Sequence, residues 1–125
     1  MHGGLAREFR RALEGVTGPQ DQLETVTIES DDTVDQRCAD ILAAVKLVDT
    51  GQGVVLLTEI FGATPSNCSV AAMAQTRVEV IAGINLPLLV RLAAVRADFS
   101  LKEAVHQSTE AGRKYIIVAS QILSA

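Results

Sequence analysis

Glu59 closes an apolar run in the stretch Leu57-Thr58-Glu59-Ile60-Phe61-Gly62-Ala63-Thr64-Pro65-Ser66-Asn67. Five residues on, Thr64 reads as a helix N-cap with Pro65 at the first helical position. A helix start presents free backbone N–H groups and the positive end of a dipole, so it favours an anion. The Thr64 and Ser66 hydroxyls and the Asn67 amide add donors. An acid beside such a cap makes chemical sense if a proton-carrying ring stands between them. A carboxylate on one imidazole nitrogen fixes the tautomer and leaves the other nitrogen nucleophilic. The sequence holds two histidines, His2 and His106. His2 precedes Gly3-Gly4 and a first helix, where a strand-to-helix loop would bring it to the same edge. On position alone, near a chain end, the stronger reading is a frayed, inert side chain. His106 falls inside a late helix and reads as an exposed polar residue.

Other chemistries fit poorly. The two histidines and two cysteines lack the close spacing that a zinc site wants, so no metal and no cofactor is expected. Cys68 next to Asn67 has the position of a reactive thiol at a helix start, but packing on the inner face is the stronger reading. Cys38 and Cys68 are expected as two free thiols in a reducing cytoplasm. A net charge of −4 and 3% aromatic residues argue against nucleic-acid binding. No apolar run nears the roughly 20 residues of a membrane span, and the early charges of MHGGLAREFRRALEG do not read as a signal peptide. Arg7, Arg10 and Arg11 read as a solvated face.

The elements that must position these residues follow from periodicity. Leu5, Phe9, Ala12, Leu13 and Val16 repeat at helical spacing until Gly18-Pro19. LETVTIE alternates and is β-branched, so it predicts a strand. Asp31, Asp32 or Thr33 caps a helix with the stripe Val34, Cys38, Ile41, Leu42, Val45 and Val48. VVLLT is a continuous apolar run, the mark of a strand buried on both faces. A helix after Thr64 leads to the strand RVEVIAG. Asn85 caps INLPLLVRLAAVR, with Leu88, Leu92 and Val95 inward. Ser100-Leu101-Lys102-Glu103 forms a capping box for a last helix, and YIIVAS reads as a closing strand. This order predicts one α/β domain over 1–125, doubly wound, with a mostly parallel sheet and helices on both faces. The chain opens on a helix, so the strand that usually feeds it is absent.

HGGLAREF, LLTEIFGATPSN and VEVIAGINLPLLVRL, in this order and at these separations, resemble the enzyme IIA domain of the mannose family of the bacterial phosphoenolpyruvate-dependent sugar phosphotransferase system. The resemblance covers essentially the whole chain, and the pair FGATPSN and AGINLP is its specific part. It implies a cytoplasmic phosphotransferase component: a phosphohistidine carrier charged by the carrier HPr, or by a nitrogen-branch analogue. The phosphoryl group would pass to a separate IIB acceptor or serve as a regulatory signal. On this basis His2 is the phosphoryl acceptor and Glu59 orients its imidazole. Gly62, Ala63, Thr64 and Ser66 receive the phosphoryl oxygens, while Phe61, Pro65, Asn67 and Asn85 shape the mouth. The family's terminal strand takes part in dimer formation, so a homodimer is implied.

Three positions depart from the family pattern. Glu59 stands for an aspartate and Ala63 for a glycine. An apolar strand ending in Val-Thr usually precedes the histidine, which leads to the expectation of about eight further residues upstream, the length of an ordinary strand. The alternative reading is a non-catalytic, partner-binding regulatory module that lost phosphotransfer with that strand.

Overall fold

The computed structural model describes residues 1–61, 68 and 75–123. Among them are five helices and two strands. Helix α1 (Leu5–Thr17) stops at Gly18, whose positive φ lets its N–H return to the Glu14 carbonyl at 2.8 Å before Pro19 forbids continuation. Helix α2 (Val34–Val48) starts at Thr33, whose hydroxyl accepts from the Gln36 N–H at 3.1 Å. Strands β1 (Val54–Thr58) and β2 (Val78–Ala82) pair in parallel, Val54 with Val78 through Thr58 with Ala82. Helix α3 (Leu86–Val95) is capped by Asn85 and carries Pro87 in its first turn. Helix α4 (Leu101–Lys114) is capped by Ser100, which accepts from the Glu103 N–H at 3.2 Å. A short helix, α5 (Ala119–Leu123), follows.

Strand alternation divides the core into two layers. Val55 and Leu57 face the cluster of Leu13, Ile81, Ile84, Leu88 and Leu89, and the group of Leu92, Val95 and Ala104. Val54 and Leu56 face Ile41 and Val45 on the other side. Each fully buried aliphatic side chain here contributes on the order of 1.5–3 kcal/mol. The result is an α/β fold with a small parallel sheet, α1, α3 and α4 on one face and α2 on the other. The inward stripe Leu88, Leu92 and Val95 is as predicted. Gly112 permits the α3–α4 crossing, since a Cβ there would stand 3.2 Å from Leu88 Cβ.

Three expectations are corrected. Residues 23–29 do not form a regular strand. Among the described residues they pair through one parallel bridge, between His2 and Ile28, with the Ile28 N–H donating to the Met1 carbonyl. YIIVAS is not a strand either: Tyr115 to Val118 run exposed without a sheet neighbour, and Ala119 begins α5. A strand needs an adjacent edge, and among the described residues none reaches it. Finally, Cys38 and Cys68 are not free thiols but a disulfide, with Cα atoms 5.5 Å apart. Cys68 packs on the Ile41, Val45 and Val54 layer, which brings its sulfur onto α2.

Candidate functional site

The site begins where β1 ends. Thr58 is 4% exposed, and its carbonyl accepts from the N–H groups of Gly83 and Ile84 at 3.0 and 3.4 Å. That pins the turn after β2 against the end of β1. Asn85 extends this rim: its side-chain oxygen accepts from the Leu88 N–H at 3.0 Å, and its amide donates to the Gly112 carbonyl at 2.9 Å. Its role in the structure is to cap α3 and tie it to the end of α4.

The N-terminus reaches the same edge by a different route. The Met1 ammonium donates to the Val26 carbonyl at 2.9 Å, and the Ile28 N–H donates to the Met1 carbonyl at 2.8 Å. This two-residue ladder aims the next residue at β1. The His2 backbone N–H donates to Glu59 Oε2 at 2.9 Å, and His2 Nδ1 lies 3.5 Å from the same oxygen. The other carboxylate oxygen, Oε1, accepts from the Thr58 hydroxyl at 3.1 Å. The His2 side chain is 68% exposed. Its ring therefore meets a fixed carboxylate through Nδ1 and faces solvent elsewhere. Phe61, 85% exposed, follows Glu59 by two residues. Gly62, Ala63, Thr64, Pro65, Ser66 and Asn67 lie outside the described residues. His106 is exposed on α4.

The electrostatics follow from these contacts. Burial pushes the Glu59 carboxyl up, but hydrogen bonds from backbone N–H groups and the Thr58 hydroxyl, with the nearby Met1 ammonium, bring it below the ordinary value. The Met1 ammonium moves the other way for its type: desolvation lowers it, and attraction to Glu59 only partly restores it. The ammonium and the Thr58 hydroxyl were missed from sequence. Thr58 left a local signal, an alcohol next to the acid. The ammonium left none, because its place depends on the chain end lying along residues 26–28. Among the described residues no group of three or more His, Cys, Asp or Glu could hold a metal ion, and no helix is long and apolar enough to cross a membrane.

The family model EIIA-man, described as the PTS system fructose IIA component, matches residues 1–109. The chain belongs to this EIIA family. It is 29% identical over 115 residues to the PTS system mannose-specific EIIAB component of Escherichia coli K12, which covers 90% of this chain and 36% of that protein. The chain thus spans about a third of that relative's length. It is 24% identical over 123 residues to the PTS system fructose-specific EIIA component of Bacillus subtilis, covering 98% of the chain and 84% of the relative. In fold it is similar to the phosphotransferase system component EIIA of Streptococcus agalactiae, with a TM-score of 0.85 at 19% identity over 96% of this chain and 93% of that one.

Proposed function

We propose that this EIIA domain carries the phosphoryl group on His2. The observation that carries the reading is the contact of His2 Nδ1 with Glu59 Oε2 at 3.5 Å, at the carboxyl end of β1. With Nδ1–H directed at the carboxylate, the lone pair rests on Nε2, which is turned to solvent and open to a partner protein. Nε2 attacks the phosphorus of a donor phosphohistidine in line. A new N–P bond forms as the donor's N–P bond breaks, and the Nδ1 proton stays hydrogen-bonded to Glu59. Delivery to the acceptor is the same step in reverse. The protein supplies positioning and charge balance rather than further covalent chemistry.

Gly62, Ala63, Thr64 and Ser66 receive the phosphoryl oxygens in this reading, on the strength of the Thr64-Pro65 cap in the sequence, and Phe61, Pro65, Asn67 and Asn85 frame the mouth. The donor is HPr or a nitrogen-branch analogue in the cytoplasm. The acceptor is a separate IIB protein, or the phosphorylated state is itself a signal. The test is incubation with phosphoenolpyruvate, enzyme I and HPr, followed by intact mass. An acid-labile gain of one phosphoryl group, absent in His2→Ala, supports the carrier. No gain in protein with native helical content overturns it and leaves a partner-binding module.

A further inference from the structure

Cys38 stands in the second turn of α2, and its bond to Cys68 ties that turn to the layer beneath β1. Neither cysteine is sealed in the core, so a thiol has an approach to the bond. The buried side chains of α2 are Ile41 and Val45, and both lie C-terminal to Cys38. Its first turn buries none, and Val34 there is 58% exposed. The disulfide is therefore the tie closest to the start of the helix.

That start is connected to the histidine by consecutive hydrogen bonds. Arg37, next to Cys38, donates to the Glu29 carbonyl at 2.9 Å. Glu29 and Asp32 close a turn: the Glu29 N–H donates to the Asp32 carboxylate at 3.0 Å, and the Asp32 N–H to the Glu29 carbonyl at 3.2 Å. Glu29 follows Ile28, which bridges to His2 and accepts from the Gly3 N–H at 3.4 Å. On its other side the His2 N–H donates to Glu59. The buried Arg37 Nε has no partner, so the backbone of α2, rather than a network of its own, decides where this guanidinium holds Glu29.

We propose that Cys38 and Cys68 are a reversible modification site that regulates phosphoryl acceptance. The disulfide form holds the start of α2, and through Arg37, Glu29 and Ile28 keeps His2 against Glu59. In the dithiol form that first turn opens locally and the hold on His2 loosens. The two covalent states are discrete, as a regulatory element requires. A dithiol reductant performs the first conversion. One of its thiolates attacks a sulfur of the pair and forms a mixed disulfide, and its second thiol then displaces the remaining cysteine. The protein gains two electrons and two protons, and the reductant leaves as a disulfide. Hydrogen peroxide reverses the change: one cysteine becomes a sulfenic acid, the other displaces its oxygen, and two waters are released in all. The output of the site rests on the phosphocarrier reading; its coupling to His2 does not.

The test follows phosphoryl gain from HPr in the oxidised chain, in the chain reduced with a dithiol and freed of it, and in the reduced chain returned with peroxide. Intact mass verifies the two added hydrogens. Reduction slows the gain about 10-fold or more, the scale reached by misplacing a reacting group, and peroxide restores it. Cys38→Ser and Cys68→Ser are both slow and indifferent to either reagent. The amide and ring resonances of His2 shift between the two states. Equal rates in fully reduced and oxidised protein overturn the proposal, as does a faster reduced form. A reduced chain without native helical circular dichroism also overturns it, since the bond then serves stability alone. Absence of phosphoryl gain in both states retires the carrier reading instead. The His2 resonances then decide the coupling: a shift sustains it, and coincident spectra overturn it.

Discussion

Glu59 keeps its charge because of what surrounds it, and that makes its contribution to stability depend on pH in a definite sense. Its folded pKa lies below the reference of 4.5. The stabilisation is therefore complete above about that pH and is lost as pH falls through the folded value. Urea midpoints taken on an acid series fall more steeply for the wild type than for Glu59→Gln. The same substitution keeps an oxygen to accept the His2 N–H but removes the charge that orients the ring. We expect it to slow phosphoryl transfer from HPr by about 10- to 100-fold, the usual effect of removing a carboxylate behind a functional histidine, read as the rate of phosphoryl gain by mass. Met1 has the same sign in a higher pH window, though for the opposite reason, since here the charged form is the one the fold disfavours. Its folded pKa lies below 8.0, so the unfolded chain binds the proton more tightly, and stability rises with pH through the window ending near 8. Melting temperatures on an alkaline series check it. Residue types asked only for an imidazole beside Glu59; that His2 supplies it was implied by the family resemblance, and the two meet in the structure. That Met1 joins them was not legible, because it follows from a long-range pairing.

At the scale of elements, what is local was readable and what is mutual was not. Thr33, Asn85 and Ser100 cap their helices because a short polar side chain reaches back to its own backbone. Residues 23–29 and 115–120 carry strand composition, yet a strand is a relation between two edges: among the described residues the first has the single His2–Ile28 bridge and the second no sheet neighbour. Composition does not record such pairings. Two cross-links between elements make predictions. Arg96, after α3, holds the loop before residue 23 by donating to the Gln22 and Asp21 carbonyls and the Gln20 side chain. Arg96→Ala leaves those acceptors without a partner and is expected to cost about 1.5–3 kcal/mol in denaturant unfolding. Cys38–Cys68 closes a loop with a sequence separation of 30. By the chain-entropy account, reduction destabilises by about 3–4 kcal/mol. Guanidinium unfolding with and without reductant measures it, and Cys38→Ser is insensitive to reductant.

At the scale of the whole molecule, the unpaired terminal segment matters most. Ile116 is 74% and Leu123 84% exposed, with Ile117, Val118 and Ile122 also open to solvent. They form a run of apolar surface over eight residues that begins beside the basic last turn of α4. Isolated exposed aliphatics are ordinary, but a contiguous set marks an interaction surface. A second copy is the partner that is always present at matching concentration, and a two-fold pairing lets each segment cover the other. Such an arrangement would also supply a neighbouring edge for Tyr115 to Val118, which have none among the described residues. Sedimentation velocity across a concentration series is expected to show a monomer–dimer equilibrium. Ile116→Lys with Ile122→Lys shifts it to monomer, because two charges cannot be buried in an apolar seam without partners. The double variant keeps its melting temperature when diluted, whereas that of the wild type falls with dilution, since association stabilises only the folded state. A wild type that sediments as a monomer at every concentration, with these side chains still exposed, overturns the pairing.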